Sequence, residues 1–341
     1  MKELDEAFEL LHREAREAPG DLTGARAKLM AELHGVTPLP RRRRWQVPAA
    51  AAAVVLVTAS VIGIKVYNAR TPELELASEV LHKAADSLGI HAVDPSLADG
   101  QYRLVSEHVW SARSTVQYPD SNTGYTYRLE QRIDRWIPKN DRDLWQETRT
   151  VVGTPQPIGS NVPVGPPSLS DNDTGTRTGA CGNFFPKSKP PKVCGDQEDW
   201  DSPEFYAKLS RDPEVLYGQI VKQNAHRSTE PAPVFHYAVQ VLAAGMMPAD
   251  LRAQWYRAMA KIPGIQVFDQ ATTLDGRRGV SIGLTTENEQ RELVIDPATG
   301  EFIGERTLAG AKPYDAWIPP GTETYARTIT TKVVNGLGVP E

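Results

Sequence analysis

Residues Val47 to Ile64 read VPAAAAAVVLVTASVIGI, eighteen residues without a single charged side chain. Nothing else in the chain is as restrictive. A helix of that length covers about 27 Å, close to the thickness of a bilayer's hydrocarbon core. A buried core helix of the same length would usually keep a polar face. Trp45 and Tyr67 bracket the run, as aromatic residues do at membrane interfaces. The sequence therefore predicts a transmembrane helix over 46–67.

The flanks predict its direction. Arg41, Arg42, Arg43 and Arg44 stand immediately before it and, with Trp45, make a basic membrane flank over 41–45; beyond it only Lys65 and Arg70 follow, close to Glu73 and Glu75. The positive-inside rule then puts the N-terminus in the cytoplasm and the C-terminal region outside it, in a single-pass protein of the cell membrane. A cleaved export signal, including the twin-arginine kind, is the competing reading. It fits less well, because some forty residues precede the run and Tyr67 and Ala69 make a poor small-x-small cleavage site.

The rest of the chain has the composition of a protein that folds in water. Of its 341 residues 40% are hydrophobic and 24% charged, so a membrane element has to be local. The net charge of -5 and the lack of any basic stretch beyond Arg41 to Arg44 argue against a nucleic-acid partner.

Residues 1–40 predict a helical hairpin. Leu4, Phe8 and Leu11 fall at helical spacing, Pro19 and Gly20 interrupt the pattern, and Leu22, Leu29 and Leu33 continue a second stripe until Gly35. So small a hairpin has more apolar stripe than it can bury alone. These six side chains are the candidate partner-binding residues. An inert anchor packed on itself is the alternative.

From 72 to 341 the expectation is an extracytoplasmic α+β domain, a curved antiparallel sheet with helices packed on one face. Glu73 to Leu88 reads as a helix, 101–111, 125–137 and 143–152 alternate as strands, 203–261 is helical in texture, and the remainder is a meander ending in ETYARTITTKVV. Between them, 153–201 is rich in proline, glycine, serine and asparagine and reads as a long irregular loop. The chain's two cysteines, Cys181 and Cys194, lie within it. Outside the cytoplasm they are candidates for a disulfide closing a loop worth about 3 kcal/mol. A free pair stays open, and zinc lacks accompanying histidines.

Little points to catalysis. GVSIG, Gly279 to Gly283, matches G-x-S-x-G, but a hydrolase needs a strand, a sharp turn and a helix there, whereas Val280, Ile282 and Leu284 alternate straight through Ser281. No phosphate-binding loop or HExxH helix is present, and the histidines are scattered. The expectation is a protein that is not an enzyme, with no cofactor and no metal.

Three strings carry a resemblance: DLTGARAKLMAEL before the basic run, the alanine-rich span, and ELVIDPATGEFIGERTL near the C-terminus. With them the chain resembles actinobacterial single-pass membrane proteins often encoded beside extracytoplasmic-function sigma factors. The resemblance implies an anti-sigma-like regulator. The cytoplasmic segment lacks the cysteines of zinc-type anti-sigma domains. The outer half is similar to the curved sheets of lipoprotein carriers and periplasmic stress sensors, which implies a lipid or envelope ligand. A tethered regulator and an anchored envelope-ligand-binding protein are thus the two functional expectations, with the membrane, a sigma factor and an envelope ligand as candidate partners.

Overall fold

A computed structural model describes residues 72–91, 94–117, 122–186 and 192–339. The predicted hairpin, the basic flank and the predicted span over 46–67 lie outside the described residues.

Ten strands form one antiparallel sheet. In chain order they are β1 (Tyr102–Val116), β2 (Gly124–Pro138), β3 (Leu144–Val151), β4 (Gln156–Ser160), β5 (Gly175–Ala180), β6 (Gln266–Thr272), β7 (Arg278–Thr285), β8 (Glu289–Ile295), β9 (Phe302–Ala309) and β10 (Glu323–Val334). The spatial order is β5-β3-β2-β1-β10-β9-β8-β7-β6, and β4 pairs with β2 beside that path. The last strand thus sits between β1 and β9 and joins the N-terminal strands to the β6–β9 meander. Among the described residues five helices accompany the sheet: α1 (Pro72–His91), α2 (Pro203–Ala207), α3 (Pro213–Asn224), α4 (Pro231–Ala243) and α5 (Ala249–Met259).

The fold-class expectation needs correcting. The domain is mostly antiparallel sheet, 36% strand against 22% helix, rather than α+β, and no helix among the described residues is long and apolar enough to cross a membrane. Two features tip the balance. β1 and β2 run for fifteen residues each, and four of the five helices have at most thirteen.

The expected long loop over 153–201 is also corrected, since it contains β4 and β5. Their sequences, QPIGS and GTRTGA, lack an apolar alternation, and β5 is exposed or half-exposed along its length. Backbone pairing with β2 and β3 holds them, and that pairing leaves no hydrophobic signature to read.

The main core lies between the helices and one sheet face. Leu81, Ala85 and Leu88 of α1, Phe235 and Val239 of α4, and Leu251 and Trp255 of α5 pack with Val105, Ile137, Ile282, Leu293, Ile295 and Ile329 from the strands. Local sequence starts and stops these helices. The Asp212 carboxylate accepts from the backbone N–H of Glu214 and Val215 at 2.9 and 3.0 Å, with Pro213 behind it, as a helix N-terminus requires. Gly245 ends the α4 segment at φ +70°, and a Cβ there would stand 3.0 Å from both methyls of Val105. Only glycine satisfies both conditions.

Candidate functional site

Two polar regions occupy the helix-facing side of the sheet, and they are built differently. The first crosses its middle. Glu147 on β3, Arg135 on β2, Glu107 on β1, Arg327 on β10 and Glu305 on β9 alternate in sign across five neighbouring strands. The register produces the row, because Arg135 lies directly opposite Glu147 and Arg327 directly opposite Glu305. Arg135 reaches Glu147 at 3.5 Å and Glu107 at 3.7 Å; Arg327 reaches Glu107 at 3.1 Å and is bonded to Glu305. Gln240 of α4 joins from above, accepting from Arg327 at 3.2 Å and donating to Glu305 at 3.2 Å. At the β3 end, Arg149 donates to Glu147 at 2.7 Å.

Burial alone would lower the pKa of Arg327, but Glu305 and Glu107 more than offset it and the net shift is upward. The same holds for Arg135, where Asp201, Glu107 and Glu147 oppose the burial. Asp201 shifts the other way. Burial pushes its carboxyl up, and Arg135 with Lys192 brings it below its ordinary value. Each acid in the row faces a cation, so it reads as structure.

The second region is a cavity of about 420 Å³ at one end of this face. Leu88, Leu242, Met247, Tyr256, Phe302 and Ile329 give it an apolar lining, and Arg103, Arg252, Arg277, Asp94 and Glu301 give it charge. Several elements converge to build it. The β8–β9 turn, Asp296 to Gly300, docks on α1, where a Cβ on Gly300 (φ +75°) would come within 2.2 Å of the Ala84 carbonyl. α5 packs along α1 and is tied to it by Arg257 on Asp86 at 2.6 Å. The tip of the β6–β7 hairpin is pinned where Leu274 N–H donates to Thr328 Oγ1 at 3.0 Å.

The charges in the cavity are not balanced. Arg252 takes both acids, reaching Asp94 and Glu301 at 3.3 Å each, and its Nε is buried without a partner. Asp94 also accepts from the Ala249 N–H that opens α5, at 2.6 Å. Arg277 donates to the carbonyls of Ile329 and Ile303 at 2.7 and 3.3 Å. Among the described residues no hydrogen bond or ion pair engages the side chain of Arg103, which is half-buried at the start of β1.

Of the residues singled out by sequence, Cys181 and Cys194 are joined in a disulfide with Cα atoms 5.4 Å apart. Cys181 takes φ +56°, a left-handed conformation uncommon outside glycine and asparagine. Lys192, within the cross-linked loop, bonds Asp199 at 3.0 Å and Asp201 at 3.1 Å and so reaches the charge row. Leu4, Phe8, Leu11, Leu22, Leu29, Leu33, the four arginines from Arg41 to Arg44, Trp45 and Tyr67 all lie outside the described residues. Ser281 lies within β7, fully buried, with its hydroxyl bonded to Glu292. His236 on α4 accepts from Arg291, and His108 sits between Glu130 at 2.8 Å and Asp275 at 3.0 Å.

Sequence reasoning missed both polar regions. The row could have been found, since Glu107 and Arg135 fall in phase with the core residues Val105 and Ile137 on strands that sequence had identified. Asp94, Arg277 and Glu301 sit in turns and cannot be placed without the fold. No protein-family model, curated protein or solved structure matches the chain.

Proposed function

We propose that the chain is a membrane-tethered regulator: its domain over 72–341 senses a small ligand outside the cytoplasm, and its segment over 1–40 engages a cytoplasmic partner, an extracytoplasmic-function sigma factor. The observation that carries this reading is the cavity and its position. Its volume falls within the roughly 300 to 1,000 Å³ of small-molecule sites. One wall is the end of α1, the first helix after the apolar segment, with only residues 68–71 between Tyr67 and its start. A ligand that changes how α1 is held therefore acts on the helix that follows the predicted span in the chain. The apolar stripe that the sequence predicts over Leu4, Phe8, Leu11, Leu22, Leu29 and Leu33 is the other contact in this reading, because amphipathic helices dock through such spaced anchors.

An anchored lipid carrier would draw on the same cavity. A carrier of long acyl chains needs a deep apolar interior, however, and the middle of this sheet face carries the charge row instead. That weighs toward sensing.

The test is transcription in the host of genes read by the sigma factor encoded beside this chain. Removing residues 1–40, or making Phe8→Ala with Leu29→Ala, should release those genes. Thr331→Trp, which fills the cavity from an exposed position on β10, should alter their response to envelope stress without abolishing control. Unchanged transcription on removing 1–40 contradicts the reading.

A further inference from the structure

Resting on that ligand-sensing reading, we infer that the cavity takes a small anionic amphiphile, with a carboxylate, phosphate or sulfate head held by Arg103 beside Arg252 and Arg277, and a short apolar group against Leu242, Met247 and Phe302.

The charge count is the first argument. Three arginines, Arg103, Arg252 and Arg277, line the cavity with two acids, and both acids are already engaged by Arg252. Arg277 meets only backbone carbonyls, which leaves its positive charge without a counter-ion among the described residues. No hydrogen bond or ion pair engages Arg103 among them; the unused Nε of Arg252 does not set the cavity apart, because Arg135 and Arg327 in the row keep one too. A guanidinium that is partly shielded from water and has no counter-ion attracts an anion more strongly than a fully hydrated one does. An anionic head placed here gains charge-assisted bonds of the kind guanidinium forms best.

The lining is the second argument. An inorganic anion needs only donors, yet Leu88, Leu242, Met247, Tyr256, Phe302 and Ile329 line the same cavity. The volume limits the tail to a short alkyl or an aryl group. Burial raises the Tyr256 phenol well above its ordinary pKa, so it stays a neutral hydroxyl in the wall. No bond is made or broken; the event is binding.

The test uses the full chain in phosphatidylcholine nanodiscs and calorimetric titration with hexyl phosphate, inorganic phosphate and 1-hexanol, each corrected with empty nanodiscs. Hexyl phosphate should bind at one saturable site, and inorganic phosphate and 1-hexanol at least about tenfold more weakly. Arg103→Gln should weaken hexyl phosphate by about tenfold, the loss of one charge-assisted contact, and Arg103→Lys should recover part of that. If 1-hexanol binds as tightly and Arg103→Gln changes nothing, the anion inference is wrong while the cavity remains a ligand site. Equal binding of inorganic phosphate and hexyl phosphate overturns the amphiphile. If neither organic probe binds at millimolar concentration, the sensing cavity falls as well.

Discussion

The middle of the helix-facing sheet surface and its cavity end both place arginines among apolar side chains, and they differ in what surrounds those arginines. In the middle, Arg327 lies between Glu107 and Glu305 with Gln240 above it, and Arg135 between Glu107 and Glu147. At the cavity end, no acid among the described residues pairs with Arg103, and Arg277 faces carbonyls. Desolvating a charge is unfavourable unless partners replace the water. A matched row is therefore a way to close a face, and an unmatched cluster is a way to leave one open to an anion. The contrast also explains why helices cover the middle tightly whereas open volume remains at the end.

The comparison breaks first at the row. Arg327→Met leaves Glu107 and Glu305 buried without their shared cation, and it should cost about 3 to 5 kcal/mol in urea unfolding, the range for removing one partner of a buried pair. A cost below about 1 kcal/mol would mean that water already reaches the row.

Reducing the disulfide should have the next largest effect. A loop of this size is worth roughly 3 kcal/mol in the chain-entropy model. Cys181→Ser with Cys194→Ser should lower the unfolding midpoint and raise amide exchange in β5 and in the segment around Lys192, while β6–β10 keep their protection. Uniform loss of protection would show that the cross-link supports more than its own end of the sheet.

Acid should then act in two separate windows, the upper one through His236 and the lower one through carboxylates that include Asp201. Burial, with Arg291 and other nearby arginines, lowers His236 to about 4, below the ordinary 6.5. A depressed histidine stabilises the fold fully above the unfolded value and loses that contribution as pH falls from about 6.5 to 4. Asp201, with its carboxyl also depressed, adds stability above about pH 4 that disappears only under more acid conditions. His236→Gln should flatten the first limb of the stability–pH curve and leave the second in place. An unchanged first limb would mean that His236 keeps its ordinary pKa in the folded protein.

Much of this architecture can be read from the sequence, and the reasons are local. Asp212 followed by Pro213 marks the start of α3, the alternation of RRGVSIGLTT marks β7, and the DPATG turn joins β8 to β9. β4 and β5 stay hidden because their pairing is through backbone alone. The proportion of sheet to helix stays hidden for the same reason, which is why an α+β expectation gave way to a mostly antiparallel fold. The disulfide can be anticipated from two cysteines in one loop. The cavity cannot, because Leu88, Asp94, Arg103, Arg252 and Arg277 come from separate elements, and only the insertion of β10 between β1 and β9 makes them neighbours.

Thermal unfolding of Arg103→Gln beside Arg327→Gln tests the difference between matched and unmatched charge most directly. Arg327→Gln should lower the melting temperature by roughly 10 °C, as a loss of several kcal/mol does in a domain of this size. Arg103→Gln should leave it unchanged or slightly raised, because it removes a cation that has no counter-ion among the described residues. A fall for Arg103→Gln as large as that for Arg327→Gln would contradict the account, since the cavity arginine would then be part of the structure and not a place held for an anion.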